Sequence, residues 1–247
     1  MKKRKNQFTF RDFLKILALP AWAFVSVIAV QYAVVYGLYF LLGREALETP
    51  VWMTVMNALI YSLSLLVIIF VPIKVFGKWR TSREELGLSG LPTWTDIGLA
   101  PVGFIVYFIL AAILVAIFSI FPFFDASEAQ DVGYQFLNTG LDRAVAFLAL
   151  VVIAPIAEEI IFRGWLYGKL RSKLPGEKLS LIVSILITSV LFAVMHGQWN
   201  VGVNVFTMSI VLCLLREMNG TIYSGILLHI LKNGVAFVLL YILNIGF

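Results

Sequence analysis

Six ionisable side chains of this chain stand where the surrounding sequence is apolar: Glu158, Glu159, Arg163, His196, His229 and Lys232. A charge in hydrocarbon is costly unless it is paired or wetted, so each of these needs a partner or a use. Three of them share one segment, Ala154-Pro155-Ile156-Ala157-Glu158-Glu159-Ile160-Ile161-Phe162-Arg163-Gly164. On a helix, at about 100° per residue, Arg163 falls about 40° around the axis from Glu159 but about 140° from Glu158. Glu159 and Arg163 are therefore an i,i+4 pair that can neutralise itself. Glu158 has no such partner on its own helix, and an unpaired carboxylate in an apolar wall requires a use or a partner on another helix. Pro155 deletes one backbone donor just before the pair.

His196 and His229 are the chain's two histidines. His229 is followed at i+4 by Asn233, and His196 is preceded at i−4 by Phe192, so each pair shares a helix face. A carboxylate and an imidazole can together hold and deprotonate a water. A second imidazole and a carboxamide are donors suited to a developing oxyanion. Glu158, His196, His229 and Asn233 thus form a set suited to hydrolysing an amide. A covalent route has no support, because Cys213 has no histidine or acid near it in sequence and no GxSxG motif is present.

The elements that must position these groups follow from composition. Of 247 residues, 61% are hydrophobic and 13% charged, against roughly a quarter charged in a soluble domain. With a mean hydropathy of +0.94, the chain reads as an integral membrane protein in a lipid bilayer. The pI of about 9.3 does not indicate nucleic acid, because the Lys and Arg residues punctuate apolar stretches instead of forming a basic face. One cysteine excludes a disulfide framework and a cysteine metal cage. Seven stretches approach the roughly 20 residues of a span: 17–42, 51–75, 97–121, 144–168, 179–199, 201–215 and 221–245. The predicted class is an all-α, polytopic bundle of about seven transmembrane helices. Residues 1–143 form an N-terminal three-helix region and 144–247 a four-helix catalytic core, in one integrated domain.

The first stretch is too long for a signal-peptide core and reads as a retained span. Of the basic residues, six lie at 2–15, four at 74–83, four at 169–178, and Arg216 makes fifteen on one side. Arg44 and Arg143 alone fall on the other side, which predicts a cytoplasmic N-terminus in a cell-membrane protein. The 76–96 connector, with Leu86, Leu88, Leu91 and Trp94, reads as a solvated segment with interfacial anchors. A straight fifth helix sets His196 about 25 Å from the basic side, against about 16 Å for Glu158 and 12 Å for His229. Convergence then demands a tilt or a break near Gly197.

These residues resemble the CPBP intramembrane proteases, which include the type II CAAX prenyl endopeptidases and the bacteriocin self-immunity (Abi) proteins. Glu158-Glu159-x-x-x-Arg163 looks like the first part of that signature, Phe192-x-x-x-His196 the second and His229-x-x-x-Asn233 the third. The resemblance covers about 144–240. It implies an intramembrane endopeptidase of glutamic type in which Glu158 and His196 activate water. His229 and Asn233 would form the oxyanion hole, with Glu159 and Arg163 in support and no cofactor. The implied partner is a membrane-associated protein or peptide substrate, in some members lipid-modified. Lys232 departs from the family, which usually has an uncharged residue there.

Two other readings use the same residues. One is a zinc-dependent membrane hydrolase with Glu158, His196 and His229 as ligands of an open site, although HExxH is absent. The other is a non-catalytic scaffold or immunity protein that keeps the constellation for stability. A transporter lacks support, since no paired half-sequences are visible.

Overall fold

The computed structural model describes residues 10–76, 79–128, 134 and 137–244. The basic residues at 2–5 and Lys78 lie outside the described residues. Among those described, seven helices are long and apolar enough to cross a membrane. They are α1 (Phe10–Leu42), α2 (Pro50–Phe76), α3 (Trp94–Phe118), α4 (Gly140–Lys173), α5 (Glu177–Val194), α6 (Trp199–Asn219) and α7 (Tyr223–Ile242). No strand occurs among the described residues. The chain is an all-α, multi-pass integral membrane protein, as hydropathy predicts. Without water, backbone groups must bond within their own segment, which leaves helices as the solution for a non-barrel chain.

Most span ends shift by a few residues from the sequence reading, and the fifth and sixth spans differ most in consequence. The sixth span is a full 21-residue helix, well beyond the expected 201–215. It continues because Glu217 pairs with Arg171 of α4 at 2.8 Å, so its charges find partners at the bundle end. The fifth span stops at Val194, five residues early. His196 lies in the turn that follows, where Gly197 takes φ +70° and Gln198 caps α6. The break that convergence demanded near Gly197 is present.

Burial ranks the helices. About 61% of the α6 window and 50% of the α4 window is enclosed, against 17–22% for α1, α2, α3 and α7. Helix α4 touches α1, α2, α5, α6 and α7, while α3 lies against α6 and α7. Lipid is as apolar as leucine, so helix association here depends on close fit more than on hydrophobic transfer. Gly103 of α3 shows this: a Cβ there would stand 2.6 Å from Leu228 of α7.

The connectors at 79–93, 174–176 and 220–222 gather at one end, the basic end. Lys169 pairs with Glu85 at 2.9 Å, Ile222 N donates to Gly87 O, and Tyr223 Oη donates to Gly90 O. Gly164 and Gly168 of α4 receive this connector, their Cβ positions lying 2.9 and 3.1 Å from the carbonyls of Leu86 and Glu85. The expectation for 76–96 is corrected in part: Leu86 is buried and Leu88 packs on the core. Leu91 and Trp94 remain exposed as anchors. Asp96, buried at the start of α3, closes a capping box with Thr93 and accepts from Asn219, Thr221 and Ser224. That carboxylate fixes the turn from which α7 departs.

Candidate active site

Helix α4 is continuous but not uniformly wound. Residues Leu148–Ile153 and Ile160–Tyr167 are π-helical, flanking the α-helical turn Ala154–Glu159. The N–H of Ala154 bonds to Ala149 O, five residues back. In that register Leu150 O looks to residue 155, which is proline and has no N–H. Asn233 of α7 supplies the missing donor, its Nδ2 lying 2.9 Å from Leu150 O. The proline thus opens a backbone acceptor and the asparagine fills it, docking α7 on α4 at a fixed height.

One turn lower, the two glutamates separate. Glu159 is fully buried, and its Oε1 accepts from Arg163 Nη1 at 3.0 Å and faces His229 Nδ1 at 3.1 Å. The 40° prediction for Glu159 and Arg163 holds, and the guanidinium also lies 4.2 Å from the centre of the Phe192 ring, a cation–π contact. Gly225, one turn before His229, lets α7 approach: a Cβ there would stand 3.0 Å from Glu159 Oε2.

Glu158 points elsewhere and keeps 14% side-chain exposure. It is not unpartnered. Tyr61 of α2 donates its hydroxyl to Glu158 Oε1 at 2.7 Å, and His229 Nε2 stands 3.8 Å from Oε2. His229 therefore lies between the two carboxylates, one on each ring nitrogen. The two acids lie on α4 and the imidazole between them on α7, with Tyr61 of α2 holding Glu158 from outside.

Residues 140–235 match the family model described as type II CAAX prenyl endopeptidase Rce1-like. This segment belongs to the CPBP family. Comparison with curated proteins and with solved structures gives no match. The CPBP segment starts at the first residue of α4 and ends two residues after Asn233, so it contains every residue of the predicted set. The family's activity is that of a protease, a hydrolase of peptide bonds.

His196 approaches this cluster from the turn after α5. Its Nδ1 lies 2.8 Å from Phe192 O, and its ring packs edge-on against Phe192 at 4.9 Å. The Phe192 ring also meets His229, 6.1 Å away, so one phenyl spaces the two imidazoles. His196 is within electrostatic reach of Glu158, His229 and Lys232. Among the described residues no three His, Cys, Asp or Glu side chains are gathered as a metal cage.

Two contributors escaped the sequence reading. Tyr61 carries no signal, since a tyrosine in an apolar span is ordinary. Gly225 did carry one, for Gly225, His229 and Asn233 recur every four residues on one face of α7.

Proposed function

We propose that the chain is an intramembrane endopeptidase that hydrolyses a peptide bond of a membrane-associated protein or peptide, using water activated by Glu158 and His196. The division of labour between adjacent glutamates carries this reading. Glu159, sealed between Arg163 and His229, is a positioning group; Glu158, partly exposed and held by Tyr61, is the acid that water can reach. Its Oε2 stands 3.8 Å from His229 Nε2, so the acid and the imidazole face one another.

In the forward step, water oxygen attacks the carbonyl carbon while its proton passes to Glu158, with His196 orienting the water. The C=O electrons become the oxyanion. Collapse re-forms the carbonyl, breaks the C–N bond, and Glu158 returns its proton to the leaving nitrogen. One product ends in a new carboxyl group and the other in a new amine.

The oxyanion donors are His229 and Asn233. Because Glu159 Oε1 is an acceptor shared with Arg163, His229 Nδ1 carries its proton toward it. Nε2 is then a donor only in the doubly protonated ring and an acceptor in the neutral one. Asn233 keeps one N–H after its bond to Leu150 O. The family's description adds a prenylated protein as substrate class, and no metal takes part in this scheme.

The test is a farnesylated, internally quenched CAAX peptide given to purified protein in lipid nanodiscs, with product masses read out. Cleavage should survive strong chelators and fall by about 10²–10⁴-fold in Glu158→Gln. Loss on chelation with recovery on added zinc supports the metal hydrolase. Unchanged cleavage in Glu158→Gln removes the glutamate from the mechanism.

A further inference from the structure

Of the six ionisable residues singled out in the apolar segments, Lys232 alone is left unused by this mechanism. It follows His229 by three residues on α7, about 60° around the helix and about 4.5 Å along it. Among the described residues it makes no hydrogen bond and no ion pair within 4.0 Å, and it is half-buried rather than snorkelled to an end. The carboxylate in electrostatic reach of its ammonium is Glu158, and the ammonium in turn acts on His196. The cation therefore stands on the side of α7 that faces Glu158 and His196.

Charge pairing limits what it can serve. Arg163 meets Glu159 at 3.0 Å, whereas no carboxylate stands within 4.0 Å of the Lys232 ammonium among the described residues, so that ammonium has no bonded counter-ion. An uncompensated charge inside a membrane protein is costly, and an anionic group on the substrate removes it. The depth of the site excludes a lipid headgroup, because Glu158 lies about 22 Å along α4 from Lys173. A substrate carboxylate fits the ammonium as a charge-assisted hydrogen-bond acceptor.

We infer that Lys232 is a specificity-determining residue that binds a carboxylate of the substrate beside the scissile bond. This rests on the peptidase reading above and names what that site selects. The carboxylate has two sources, the chain terminus of the substrate or an acidic side chain.

The experiment uses the full chain in nanodiscs and three forms of one farnesylated, quenched peptide. They carry a free C-terminus, a C-terminal amide, or a C-terminal amide with an Asp beside the scissile bond. Each is assayed for kcat/KM, and its binding to the Glu158→Gln protein is measured. A carboxylate form should be favoured over the plain amide by about 10–100-fold, as expected for one charged hydrogen bond. Whether the free C-terminus or the Asp restores the rate identifies the source. Lys232→Met should erase the preference while Lys232→Arg keeps most of it, and a ratio between substrates is insensitive to partial misfolding. Equal cleavage of all three forms by the native protein, with equal binding to the Glu158→Gln protein, overturns the inference. So does a Lys232→Met variant that slows every form alike, which would assign the ammonium to the reaction's own charge. A Glu158→Gln protein that still cleaves with the preference intact would instead sink the water-activation scheme and leave the carboxylate subsite standing.

Discussion

Asn233 donates to the carbonyl of Leu150 at 2.9 Å, the acceptor that Pro155 cannot serve. The asparagine is therefore a structural plug in a π-helical turn as well as a candidate oxyanion donor, and the two roles separate by mutation. Asn233→Ala should lose stability by about 1–3 kcal/mol, as for an orphaned buried acceptor, and should lose activity. Pro155→Ala restores an N–H, so the double variant should regain much of the melting temperature. Its cleavage rate should stay low; a rate recovering in step with stability would show that Asn233 only docks α7.

Glu159 and Arg163 should behave as one unit. Glu159→Gln strands a guanidinium with no solvent exposure, a change that costs on the order of 3–5 kcal/mol. Arg163→Gln strands the carboxylate instead. Melting temperatures of both singles and the double in one detergent form the cycle. The double should cost clearly less than the sum. Additive losses would mean that the pair does not couple. Glu158→Gln, whose amide oxygen can still accept from Tyr61, should melt close to the native protein.

The connector latch at the basic end should respond to acid. The Lys169 hydrogen bond holds the carboxyl of Glu85 below its ordinary value. A depressed carboxyl contributes stability above its unfolded value and loses it as pH falls through the lower folded value. The latch should therefore be intact at neutral pH and loosen below about pH 4. Limited proteolysis of residues 79–93 in nanodiscs reports it. Cleavage should rise on acidification in the native protein, whereas Glu85→Gln should be cut more readily at neutral pH and change less.

Orientation follows from the fifteen-to-two charge asymmetry. Single cysteines at the exposed positions Ser127 and Gly176, in a Cys213→Ser background, should divide accordingly. The first should react with an impermeant thiol reagent on intact cells, and the second only after the membrane is opened. The opposite pattern would place the basic end outside.

Composition and spacing determined a great deal about this protein. Seven apolar stretches gave seven helices, because hydrocarbon leaves the backbone no other means of satisfying its groups. The Glu159–Arg163 pair was legible from its i,i+4 spacing, since helical periodicity is a local property. The three motifs, read in order, marked the CPBP segment. What spacing cannot express is contact between helices, and the tertiary structure alone decided those features. It brought Tyr61 from α2 to Glu158, so the acid that looked partnerless on its own helix is held from 97 residues away. It set His229 between both carboxylates and turned Asn233 toward a carbonyl that Pro155 had left open. It also ended α5 at Val194, where hydropathy continued the span, because Gly197 adopts a left-handed backbone that no apolar average registers. Periodicity places a side chain on a face; which atoms that face meets depends on how far apart the helices stand, and here glycines at 103 and 225 set that distance.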